Sequence, residues 1–103
     1  MSAVEVARQA IALAPGNAAI NDTLGWILVE TGKPGEALGY LREASAREYG
    51  NPRFRYHLAV CLNELGRSAE ARRELLVALE QGRRFDDRTA AEQLLAALQK
   101  EDV

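Results

Sequence analysis

His57 and Cys61 lie four residues apart, and on a helix that spacing puts an imidazole and a thiol on one face. A thiolate beside an imidazole is the minimal arrangement for nucleophilic catalysis. The rest of such a site is missing, because no glycine-rich oxyanion loop and no third group to orient the imidazole accompany the pair. Cys61 also falls on the packing side of its segment, where a small apolar group is wanted, so it is expected in the core. A zinc site needs about four N, S or O ligands, and with one histidine and one cysteine in the chain only these two residues offer themselves. No metal and no other cofactor is expected. The phosphate-loop, dinucleotide, metalloprotease and nucleophile-elbow strings are all absent. Arg83, Arg84 and Arg88 make a basic cluster, but Asp86 and Asp87 sit among them. A solvated surface is the expected reading, and the chain is not expected to be an enzyme.

A chain of 103 residues is one domain's worth of material, and 48% hydrophobic with 27% charged residues is an ordinary folded composition. The net charge of −2 gives no broad positive surface for nucleic acid or an anionic membrane. Neither nucleic acid binding nor membrane insertion is expected, since no apolar run approaches the ~20 residues that span a bilayer. The opening MSAVEVARQAIALAPG has no basic leader ahead of an apolar block. Location stays open: cytoplasmic by default, periplasmic if the segment comes from an exported protein.

Glycine and proline punctuate the chain at Pro15-Gly16, Gly32-Lys33-Pro34, Gly50-Asn51-Pro52, Gly66-Arg67-Ser68 and Gly82-Arg83-Arg84. Between these breaks the apolar residues recur at three and four, as in Ile20, Leu24, Ile27, Leu28 and Leu58, Cys61, Leu62, Leu65, which is helical spacing. Ser2 with Glu5 reads as a capping box, Asn17, Asn51 and Ser68 as N-caps, and Pro34 and Pro52 as first helical residues. Gly32, Gly50, Gly66 and Gly82 stand where left-handed residues would end helices. The spacing predicts an all-α fold of six helices, near 3–14, 18–31, 35–48, 52–65, 69–81 and 88–99.

Shifting the chain by 34 residues against itself aligns Asn17 with Asn51, Leu24 with Leu58, Leu28 with Leu62, Glu30 with Glu64 and Gly32 with Gly66. It also aligns Glu36 with Glu70, Ala37 with Ala71, Leu41 with Leu75 and Ala44 with Ala78, so nine of 34 positions are identical. A 34-residue helix-turn-helix period of this kind resembles the tetratricopeptide repeat. Leu24-Gly25 and Leu58-Ala59 fill the family's Leu-Gly pair, Leu28 and Leu62 its Tyr slot, Ala37 and Ala71 the first Ala of the second helix. Leu41 and Leu75 fill the Phe slot, and Ala44 and Ala78 the closing Ala. The departures are Asn21 and Arg55 at the Trp slot and Tyr49 and Arg83 at the Pro slot.

The resemblance implies antiparallel helix pairs stacked in a right-handed superhelix within one domain, 1–103. It divides the chain into a half repeat at 3–16, full repeats at 17–50 and 51–84, and a capping helix over 85–100. Residues TLGW, GKPGEAL, LREA and RYHLAV are similar to the C-terminal parts of bacterial tetratricopeptide proteins of exopolysaccharide and protein-sorting systems.

In this family the first helix of each pair lines a concave groove that takes a peptide or partner segment. The expected groove residues are Ala19, Asp22, Trp26 and Val29, then Arg53, Tyr56, Val60 and Asn63, with Ala90 and Leu94 from the last helix. Trp26 and Tyr56 read either as packing between repeats or as groove anchors. The family's Lys/Asn/Arg clamp for C-terminal carboxylates is not reproduced, because Asp22 stands where the clamp is basic. The resemblance thus implies a protein-interaction module. The alternative is a structural spacer or a regulatory segment of a larger bacterial envelope, exopolysaccharide or secretion protein. The first helix is apolar on more than one side, through Val6, Ala10 and Leu13 besides Val4, Ala7, Ile11 and Ala14, so the expectation is either that an upstream helix of a longer array covers it or that two copies cover each other's edge as a homodimer.

Overall fold

The first four helices begin where a side chain or a ring can deal with their first free N–H groups. In the computed structural model, which describes residues 2–101, Ser2 Oγ accepts from the Glu5 N–H, Asn17 Oδ1 from Ile20 and Asn51 Oδ1 from Arg53 and Phe54. Pro34 and Pro52 open their helices, where the missing N–H costs nothing. The elements are α1 (Ala3–Leu13), α2 (Ala18–Glu30), α3 (Pro34–Arg47), α4 (Pro52–Glu64), α5 (Ser68–Gln81) and α6 (Arg88–Glu101). They match the expected six helices to within a residue or two at each end, and no strand occurs among the described residues.

Two turns that join the helices of a hairpin are built identically. Gly32 and Gly66 take φ of 81° and 79°, a conformation that a side chain would strain. The turn then closes with Lys33 N–H donating to Leu28 O at 2.8 Å and Arg67 N–H to Leu62 O at 2.9 Å. This geometry corrects the expected cap at Ser68. The turn runs straight from Gly66 into Arg67, so Arg67 takes the cap position without a side-chain bond and Ser68 is already helical. Gly50 and Gly82 are also corrected, since neither has a positive φ. Gly82 is needed for close approach instead: a Cβ there would lie 2.6 Å from Pro52 Cγ and 3.1 Å from Phe85 Cδ1.

The helices pack in chain order, α1 on α2, α2 on α3, and so to α6, with α2 also touching α4. The result is a row of hairpins extending 44 × 26 × 19 Å. The apolar residues shared by the two copies make its interior. Leu24, Leu58, Leu28, Leu62, Leu41 and Leu75, with Ala37, Ala71, Ala44 and Ala78, are all buried. Small residues let the paired helices approach, as at Gly25, where a Cβ would come within 2.6 Å of Leu41.

Polar ties cross from hairpin to hairpin and also repeat every 34 residues. Asn21 Nδ2 donates to Pro15 O, and one period on Arg55 Nη2 donates to Tyr49 O. The polar residues at the Trp slot therefore fasten each first helix to the turn before it. Arg55 is further held by Glu74 at 2.6 Å. Arg8 faces Glu36 at 3.7 Å, as Arg42 faces Glu70 at 3.2 Å. Hydrogen bonds from Arg67 and Arg42 hold the Glu70 carboxyl below its ordinary range. A depressed carboxyl of this kind stabilises the fold at neutral pH, and that contribution is lost as the pH falls through its folded-state value.

Candidate functional site

The four-residue spacing does bring His57 and Cys61 onto one helix, but each is engaged elsewhere. Cys61 is fully buried, its thiol donating to Pro34 O at 3.2 Å. Burial, then the neighbouring Glu64 charge, push the thiol up to about 11, against a smaller lowering by Arg42. Less than about 1% of it is thiolate at pH 8, so alkylation of the folded protein by iodoacetamide should be at least ~100-fold slower than of the denatured chain. Mass spectrometry of the quenched time course measures this directly; equal rates would show that Cys61 is open.

His57 is bound to an acid on the preceding hairpin, which corrects the expectation that no third group orients the imidazole. Nδ1 stands 2.8 and 2.9 Å from the two carboxylate oxygens of Asp22. A carboxylate only accepts, so Nδ1 carries the proton and donates. Both residues are interior, 4% and 6% exposed. On the other side, Nε2 lies 3.9 Å from Asp87 Oδ2, and Arg53 Nε lies 3.1 Å from that same oxygen. Trp26 stacks on the imidazole with ring centroids 4.1 Å apart and planes 19° apart. Tyr56 stands 6.3 Å from Trp26 and 5.8 Å from His57, tilted to both. Burial and the Asp87 charge push the Tyr56 hydroxyl up, so it stays protonated at neutral pH and can donate.

Of these groups Asp22, Trp26, Arg53 and His57 line a pocket of about 240 Å³ between α2 and α4, together with Ala19, Thr23, Ile27 and Phe54. Of the eight residues expected in the groove, Ala19 and Arg53 are exposed, and Trp26, Tyr56, Val60 and Asn63 are half-buried. Val29 is buried in the main core. Asp22 is buried as well, because His57 draws its carboxylate inward. It is therefore no open acid that would by itself turn a carboxylate away. Ala90 and Leu94 of α6 are half-buried, Leu94 against the core.

Sequence reasoning missed the parts His57 and Asp87 play here. The available signal was an aspartate and a histidine at adjacent repeat positions on successive first helices, 35 residues apart. Arg88, expected in a solvated patch, instead donates from Nη1 to Gly82 O at 2.6 Å and Leu79 O at 3.2 Å, satisfying carbonyls at the end of α5. Among the described residues no cluster of three or more His, Cys, Asp or Glu could hold a metal, and no helix is long and apolar enough to cross a membrane.

A family model described as tetratricopeptide repeat matches residues 23–87. The chain belongs to the tetratricopeptide repeat family. Solved structures give the same fold. The Yersinia enterocolitica type III secretion chaperone SycD in complex with a peptide of the translocator YopD superposes with a TM-score of 0.86 at 22% identity, covering 97% of this chain and 79% of that one. PcrH in complex with the chaperone binding region of PopD gives 0.85 at 20%, covering 97% and 78%. TTC0263, a thermophilic tetratricopeptide protein of Thermus thermophilus, gives 0.77 at 28%, covering 91% and 48%. The comparison with curated proteins gave no match.

Proposed function

We propose that this tetratricopeptide chain is a non-catalytic binding module that holds an extended or helical segment of a partner protein along the groove of α2 and α4. The two repeats at 17–50 and 51–84 supply the groove, and α6 is the cap that solvates the last apolar face. The observation that carries the reading is the half-buried Trp26 and Tyr56, placed around the His57–Asp22 pair. Partly exposed aromatic rings held on a rigid base are what interface anchors require, since little side-chain freedom remains to be lost on binding. Ala19, Arg53, Val60 and Asn63 extend the contact surface. Asp22 and Val29 support it from beneath. Two structures of the same fold, those of SycD and PcrH, were solved with segments of partner proteins, which favours a peptide over a small molecule.

Selecting peptides from a displayed random library against the wild-type chain supplies ligands for the test. Trp26→Ala and Tyr56→Ala are each expected to weaken the selected peptides by about 1–2 kcal/mol, roughly 5- to 30-fold, in calorimetric titrations. Circular dichroism establishes first that both variants are folded. Peptides that bind both variants as tightly as the wild type would refute the groove assignment.

A further inference from the structure

We propose that two copies of this chain join through α1, each α1 lying antiparallel to its counterpart and filling the partner's α1–α2 groove about a two-fold axis. An apolar cavity of about 400 Å³ runs between α1 and α2, with Ala3, Val6 and Ala10 on one side and Ile20, Thr23 and Ile27 on the other. No charged residue lines it. Val6 is 52% exposed and Leu13, at the end of the same helix, is 88% exposed. These are two large apolar side chains turned to solvent on a helix of 11 residues, a concentration that marks a contact surface.

The internal repeat shows what shape of object the groove accepts. One period further along, the same wall positions are Ala37, Tyr40 and Ala44 of α3 and Phe54, His57 and Cys61 of α4. There the space is filled by α2, which packs on both helices. The wall at the N-terminal end has the same construction, with smaller side chains at Val6 for Tyr40, Ile20 for Phe54 and Thr23 for His57 and a larger one at Ile27 for Cys61, so it is a socket for a helix. Because tight turns join successive helices, α2 runs antiparallel to α3 and parallel to α4. An occupant of the N-terminal socket in the same pose runs antiparallel to α1 and parallel to α2.

The exposed stripe of α1 meets that requirement when paired with itself. It reads Ala3, Val6, Ala10, Leu13, at heptad-like spacing. In an antiparallel pairing Ala3 meets Leu13 and Val6 meets Ala10, so every large side chain faces a small one. A parallel pairing would set leucine on leucine and alanine on alanine, which leaves gaps beside clashes. Charge fits too. A two-fold axis brings a surface against its own copy, so any charge on the stripe would meet a like charge. The two charged residues of α1, Glu5 and Arg8, lie off the stripe by helical spacing, and Arg8 is drawn to Tyr40 Oη at 3.3 Å and Glu36 at 3.7 Å on the far flank.

Sedimentation velocity over a wide concentration series tests this on the whole chain, with circular dichroism as the control for folding. The wild type is expected to dimerise. Val6→Asp and Leu13→Asp, both at solvent-exposed positions, should stay folded and raise the dissociation constant by at least about 100-fold. Ala3→Leu should weaken the dimer by crowding Leu13, and Ala3→Leu combined with Leu13→Ala should restore it, a reciprocity that simple loss of apolar surface does not produce. For orientation, a mixture of Ala3→Cys and Leu13→Cys chains should form a disulfide-linked heterodimer, while neither variant cross-links with itself. A chain that stays monomeric throughout, leaving the groove to a helix of another molecule, overturns the proposal. So does a dimer indifferent to Leu13→Asp, or Ala3→Cys cross-linking to itself.

Discussion

Replacing His57 by leucine is expected to destabilise the fold by about 3 kcal/mol in urea denaturation, a large part of the 5–15 kcal/mol typical of a domain. The leucine fills much of the space the imidazole leaves, so the loss comes chiefly from Asp22. Asp22 is 6% exposed, and its carboxylate accepts from Nδ1 at 2.8 Å. Without the donor it is a buried acceptor with no compensating partner. Asp22→Leu on its own strands the histidine less severely, because a neutral imidazole is cheaper to bury than a carboxylate. The double replacement removes both polar groups and should be more stable than His57→Leu alone by at least about 1 kcal/mol, a coupling that a thermodynamic cycle isolates. A His57→Leu loss below about 1 kcal/mol would mean that water reaches the pair and that it is no part of the core.

Leu41→Ala should cost about 3–4 kcal/mol by the same measurement. Leu41 is completely buried and lies against Gly25, which has no side chain to move into the cavity. The second copy of the motif has Ala59 and Leu75 at the corresponding positions. Gly25→Ala alone sets a methyl within 2.6 Å of Leu41 Cγ and Cδ2, and overpacking of that kind costs about 1–3 kcal/mol. Combining the two puts the new methyl where the leucine was, so the double variant should lose about 1 kcal/mol less than the sum. Strict additivity would show that the two helices move apart freely, contrary to the close packing of α2 on α3.

The helices and the core were legible because their causes are local or periodic. Asn17, Asn51, Pro34 and Pro52 act within one turn of where they stand, and the leucines and alanines that recur after 34 residues are the ones that become buried. Three features depend on something no single helix contains. Gly82 caps α5, but what requires a glycine there is Pro52, a residue of another helix that approaches it. Arg88 reaches back to carbonyls at Leu79 and Gly82, so its place among charged neighbours gave no hint of its work. Asp22 belongs to the groove stripe by helical spacing alone. It is pulled inward by a histidine whose position is set by the register of α4 against α2, which an amphipathic pattern does not encode.

Trp26 and Tyr56 stand on opposite sides of the joint between the two hairpins, and the buried Asp22–His57 bond crosses that same joint beneath them. Any visitor that grips both rings bridges the joint from outside as the polar pair bridges it from within. Its effect is that of a splint: it stiffens the angle between one hairpin and the next, and thereby the curvature of the whole row, while leaving each hairpin's own strength untouched.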